Sequence, residues 1–133
     1  MGIEAISRGA NEIYFVDNSY KAIRIINDNI SKLKSLKTDF NAGYNIIKSD
    51  TASFLKKPLK IKFDIIFIDP PYKITAPEMT LIFKLLRSGN LIHKDTLLIY
   101  EYFSKRNVED EISGLKVIKN SFFGDKIVSY LAE

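Results

Sequence analysis

The chain has 133 residues, 46% hydrophobic and 27% charged, with a net charge of +4. That suits a single folded domain with its own core, not a disordered segment. It has no cysteine and one histidine, which excludes disulfides and cysteine metal centres and fits a cytoplasmic location. Its apolar runs, such as Ile65–Ile68 and Leu97–Tyr100, are too short to span a membrane. No secretory signal pattern is visible, and His93 has no metal-ligand companion, so it reads as a loop or surface residue. The mild basic balance favours a nucleic-acid partner without demanding one.

Ile3–Arg8 reads as a helix end capped by Gly9, followed by a buried strand over Glu12–Val16 that stops at Asp17. Asn18 or Ser19 caps the next helix, whose Ile23, Ile26, Ile30 and Leu33 recur at spacings of three and four. Ala42-Gly43 ends that pattern. A strand over Tyr44–Lys48 then runs into Ser49-Asp50, with a short helix over Thr51–Lys57 stopped by Pro58. Phe63–Ile68 reads as a buried strand and Pro77–Arg87 as a helix, with proline in its first turn and Gly89 past its end. Thr96–Tyr100 is the next strand, and Leu115–Asn120 with Lys126–Leu131 form an antiparallel hairpin around Ser121–Asp125. Strands alternating with helices and ending in a hairpin imply an α/β domain over residues 1–133. Its sheet is expected to be mostly parallel and doubly wound, with an antiparallel end. Ligands of such sheets bind outside the carboxyl ends of the strands, and three of these strands end on acids, Asp17, Asp50 and Asp69.

Asp69-Pro70-Pro71-Tyr72, directly after an apolar strand, carries the most chemistry. Proline lacks an N–H, so the turn offers carbonyl acceptors with few donors, and the carboxylate adds another acceptor. Such a turn suits a planar amine, with Tyr72 as a flat face for a base. Holding an exocyclic amine this way orients its nitrogen for attack on an electrophile. The plainer reading is a proline-stiffened turn with an Asp cap and a packed Tyr.

The tetrapeptide resembles the catalytic motif of S-adenosylmethionine-dependent amino-methyltransferases acting on nucleic-acid bases. Together with GIEAISRGA, FVDNSYKAI, Ser49-Asp50 before Phe54-Leu55, and a C-terminal GD before a strand, the chain resembles the RsmD family. That family methylates the N2 amine of a guanine in 16S (small-subunit) ribosomal RNA on a Rossmann-like methyltransferase fold. The resemblance implies that Asp69, Pro70, Pro71 and Tyr72 hold the guanine. It further implies that Gly2, Asp17, Asn18, Asp50, Thr51 and Ala52 hold S-adenosylmethionine, with Asp17 at the ribose hydroxyls and Asp50 at the adenine amine. For Asp17 and Asp50 the other reading is a helix cap. Glu101, at the end of its strand, reads as a solvated strand end, the other reading being that it faces the site, and Lys73, Lys105 and Arg106 read as solvated loop charges or as phosphate contacts.

The family pattern includes a first strand and a glycine-rich turn ahead of the segment that matches Met1–Ala5; this chain has neither. The expectation is therefore an N-terminally truncated catalytic domain, with ribosomal RNA or the small subunit as partner and no membrane. An adenine-N6 or cytosine-N4 methyltransferase and a non-catalytic fragment are the alternatives. Unpaired sheet edges are expected to promote a homodimer. The chain alone is expected to bind S-adenosylmethionine weakly; titration calorimetry checks this, and micromolar binding would contradict it.

Overall fold

The first helix, α1 (Gly2–Ser7), ends at Arg8, and Gly9 comes next in the left-handed region at φ +100°. Gly2 has no room for a side chain, because the ring of Phe15 occupies the space a Cβ would need. The computed structural model describes residues 1–37 and 40–133, and these form two units, Met1–Phe54 and Leu55–Glu133.

In the first unit, β1 (Glu12–Asp17) and β2 (Gly43–Lys48) pair in parallel, from Glu12 opposite Gly43 to Asp17 opposite Lys48. Helix α2 (Tyr20–Leu36) connects them. Ser19 caps it by accepting from the Ala22 amide at 3.4 Å. Of its apolar stripe, Ile30 is buried, and Ile23, Ile26 and Leu33 are half-buried. Helix α3 begins at Thr51 and runs to Leu55, shorter than its sequence pattern suggested. Phe54 is buried with its ring 6.3 Å from that of Tyr14.

In the second unit the sheet order is β3-β4-β6-β5. Strands β3 (Ile65–Ile68) and β4 (Leu97–Phe103) are parallel, whereas β6 (Lys126–Ala132) is antiparallel to both β4 and β5 (Lys116–Phe123). Helix α4 (Ala76–Ser88) opens with a capping box. Thr75 accepts from the Glu78 amide, and Glu78 accepts from the Thr75 amide at 2.7 Å. Its face of Met79, Ile82, Phe83 and Leu86 is buried, with Phe83 meeting Tyr100 edge to face at 5.3 Å. Leu98 and Leu131, opposite each other on β4 and β6, are fully buried.

The strands fall into two sheets, and among the described residues no strand pairs with both β1 and β3, in line with the unpaired sheet edges expected from the sequence. Three differences from the sequence expectation have physical causes. Strand β3 starts at Ile65, two residues late, and is not buried on both faces: Ile65 and Phe67 are 52% and 38% exposed. It lies at the edge of its sheet, paired only to β4 among the described strands. Strand β4 continues three residues past Tyr100, since pairing to β6 carries on through Glu101 opposite Val128 and Phe103 opposite Lys126. The hairpin turn is only Gly124-Asp125. Gly124 supplies the positive φ, +62°, that a two-residue hairpin turn with glycine first needs.

Candidate active site

The turn Asp69–Tyr72 leaves the carboxyl end of β3, the position at which parallel strands present ligand-binding groups. Beyond it, the Ile74 amide donates to the Pro71 carbonyl at 3.0 Å, and the Arg106 guanidinium donates to the Ile74 carbonyl at 2.9 Å. Arg106 is in turn held by Glu111. Its Nε lies 3.0 and 3.1 Å from the two carboxylate oxygens, and Nη2 lies 2.9 Å from Oε1 as an ion-pair contact off hydrogen-bond angle. Glu111 is 2% exposed and also accepts from the Tyr100 hydroxyl at 3.0 Å. Burial, and next the Glu111 charge, push the Tyr100 phenol well above its ordinary range. Arg106, one of the basic residues read as solvated charges or phosphate contacts, directs its Nε to Glu111 and its Nη1 to the Ile74 carbonyl.

A small cleft opens where this turn meets the ends of β4 and β6. Asp69, Pro70, Pro71 and Tyr72 form one wall, and Glu101, Phe103 and Lys126 form the other. The cleft is open to solvent. Tyr72 forms an exposed wall of it: the residue is 78% exposed and rests edge to face on Phe103 at 5.0 Å. Lys126 donates to Glu101 at 2.7 Å, and that contact holds its ammonium above the usual lysine range.

Asp69 is exposed by area, yet the protein around its carboxyl desolvates it enough to raise its pKa. The nearby charge of Glu101 raises it further and Lys126 partly offsets the rise. The folded chain therefore holds this proton to higher pH than the unfolded chain does. Stability contributed by this group declines as pH rises through that window, while its capacity to accept two hydrogen bonds is gained over the same window.

In the first unit, Asp17 and Asp50 stand at and just beyond the carboxyl ends of β1 and β2, with the Ser49 amide donating to the Asp17 carbonyl at 3.0 Å. Each caps a helix start. Asp17 Oδ1 accepts from the Ser19 amide at 2.8 Å, and Asp50 Oδ1 from the Ser53 amide at 2.9 Å. A carboxylate has about four lone-pair sites, so the cap bond of Asp17 leaves it capacity for a ligand's donors. Asn18 and Thr51 are exposed beside them, Ala52 is half-buried, and Gly2 packs on Phe15. Two carboxylates at one end of a parallel strand pair fit the donors of S-adenosylmethionine, its ribose hydroxyls and adenine amine.

The profile of the family described as Conserved hypothetical protein 95 matches residues 1–132. The chain belongs to this family. Relatives named ribosomal RNA small subunit methyltransferase D support the same assignment, the RsmD family. One such relative, from Buchnera aphidicola subsp. Baizongia pistaciae, is 34% identical over 101 residues, covering 76% of this chain and 47% of the relative. The putative rRNA methyltransferase YlbH of Bacillus subtilis is 27% identical over 126 residues, covering 93% of this chain and 65% of its own. The chain thus spans about half to two-thirds of the length of the curated relatives it matches. Among solved structures, a putative methylase from Haemophilus influenzae superposes with a TM-score of 0.78 at 22% identity, over 98% of this chain and 78% of that one. A putative methyltransferase from Escherichia coli gives 0.79 at 20% identity, over 99% and 69%. The fold is Rossmann-like, of the methyltransferase kind.

The sequence pointed to the aspartate–proline turn, and the turn forms one wall of the cleft. Of the two readings of Glu101, a solvated strand end or a residue facing the site, the second fits: it lines the cleft, since β4 is longer than its apolar run. Lys126, Phe103 and Glu111 were not singled out. Only the hairpin register, which puts Lys126 opposite Phe103, would have found the first two. Replacing Glu101 with Gln should lower the Asp69 pKa, since it removes a like charge. A carboxyl carbon NMR titration of Asp69 checks this, and an unchanged or higher midpoint would be the contrary result.

Proposed function

We propose that the chain, as one catalytic domain, is an S-adenosylmethionine-dependent methyltransferase acting on the exocyclic N2 amine of a guanine in small-subunit ribosomal RNA. The observation that carries this is the acceptor-rich turn at the end of β3, with the Asp69 carboxylate and the Pro70 carbonyl beside an exposed Tyr72. The printed functions of the relatives, rRNA methyltransferase and ribosomal RNA small subunit methyltransferase, supply the substrate class.

In this reading the base leaves its stack and enters the cleft, and the ring of Tyr72 covers its face. Asp69 and the Pro70 carbonyl accept the two N–H bonds of the amine. This fixes the amine plane and frees the nitrogen lone pair from the ring as it becomes tetrahedral. S-adenosylmethionine, when bound, supplies an electrophilic methyl group on a sulfonium. Asp17, Asn18, Asp50, Thr51, Ala52 and Gly2 are the residues proposed to hold it, with the two carboxylates accepting from its ribose and adenine. Transfer would break the bond between sulfur and the methyl carbon and leave a neutral thioether, and the proton lost by the nitrogen would go to the Asp69 carboxylate or to solvent. A cell location in the cytoplasm, where ribosomal RNA is made available, belongs to the same proposal.

The test compares ribosomal RNA from cells with the gene, without it, and with an Asp69→Ala version, by nucleoside mass spectrometry. The expected result is one N2-methylguanine of the small-subunit RNA lost on deletion and not restored by Asp69→Ala, a drop of at least about a hundredfold in methylation rate. Full restoration by Asp69→Ala would refute the role of the turn.

A further inference from the structure

The cleft contains a second carboxylate that stability does not explain. Lys126 and Glu101 form a diagonal pair across β4 and β6. Their side chains remain 43% and 25% exposed, and such pairs contribute only about 0–1 kcal/mol. Glu101 meanwhile places a like charge near Asp69. A pair that stabilises little and burdens its neighbour, on the wall of the cleft facing the turn, has the marks of a binding device.

We infer that Glu101 and Lys126 read the pairing edge of guanine in this cleft, Glu101 accepting from N1–H and Lys126 donating to O6. The hydrogen-bonding patterns of base and cleft match. Guanine presents in order an amine donor, a ring N–H donor and a carbonyl acceptor. The cleft presents acceptors at Asp69 and Pro70, an acceptor at Glu101 and a donor at Lys126. The pair need not break to do this. Glu101 uses Oε1 for Lys126, leaving Oε2, and an ammonium has three donors, of which Glu101 takes one. Adenine and cytosine also carry an exocyclic amine, so the turn alone accepts all three bases. With their amine in the turn, both would set a ring-nitrogen lone pair against the Glu101 carboxylate, which excludes them by repulsion. The inference rests on the reading of the turn as the amine holder, and gives that site its choice of base.

Short single-stranded RNAs with guanine, hypoxanthine or adenine at the centre of a uridine pentamer separate the two. Hypoxanthine keeps N1–H and O6 but has no amine. Binding to the 133-residue chain is monitored by NMR titration. The wild-type chain should favour the guanine and hypoxanthine pentamers over adenine by about tenfold. Glu101→Gln turns its amide donors toward the base once its oxygen accepts from Lys126, so that preference should shrink to about twofold or reverse. Lys126→Met should weaken guanine and hypoxanthine alike and leave adenine unchanged. Asp69→Asn should weaken guanine but not hypoxanthine. No discrimination by the wild-type chain, or a preference that survives Glu101→Gln, would overturn the inference. Loss of preference in Glu101→Gln with no effect of Asp69→Asn would overturn the reading of the turn and leave this inference standing.

Discussion

Glu111 carries a carboxylate with 2% exposure, and a charge taken that far from water must be paired and hydrogen-bonded or it costs several kcal/mol. Here Arg106 supplies the charge and Tyr100 a hydroxyl. The pairing holds the guanidinium in one place, and its remaining reach ends on the Ile74 carbonyl, just past the proline turn. A surface turn with few internal bonds is thereby tied to a buried charge pair and to β4, an interior strand of the four-stranded sheet. The position of Asp69 depends on this chain of contacts, together with the bond from the Ile74 amide to the Pro71 carbonyl inside the turn.

That anchoring explains a division of labour in the cleft. The wall made by Pro70 and Pro71 is stiff, because proline fixes φ and Arg106 holds the backbone at Ile74. The opposite wall is laid on the ends of β4 and β6, whose register puts Glu101 and Lys126 on one face. Tyr72 stays exposed, resting edge to face on Phe103. An open cleft with one exposed aromatic side suits a flat ring.

Sequence pattern reached the helices and strands wherever apolar spacing was strong. The Ile23–Leu33 stripe, the apolar run into Asp69 and the Gly89 stop all correspond to elements close to where they were read. It failed where pairing, not composition, sets the boundary. β4 extends through Glu101-Tyr102-Phe103 because β6 continues beside it, and Phe122-Phe123 belong to β5 because the turn needs only Gly124-Asp125. The site divides along the same line. Asp69–Tyr72 is contiguous, so its chemistry can be read from four letters. Glu101 with Lys126, and Arg106 with Glu111 and Tyr100, are associations made by register and loop path, which no local pattern displays. Arg106, which reads in the sequence as a loop charge, is likewise drawn inward by Glu111 and the Ile74 carbonyl.

The dependence of the turn on the buried pair is open to a direct measurement, amide hydrogen exchange in Glu111→Gln. Glutamine keeps the shape and can still accept from Tyr100 but cannot neutralise Arg106. Global stability should fall by about 2 kcal/mol. Beyond that loss, the Ile74 amide should exchange at least about tenfold faster relative to the Leu98 and Tyr100 amides of β4. An Ile74 amide that exchanges as in the wild type, relative to those of β4, would show that the turn holds its place without Arg106.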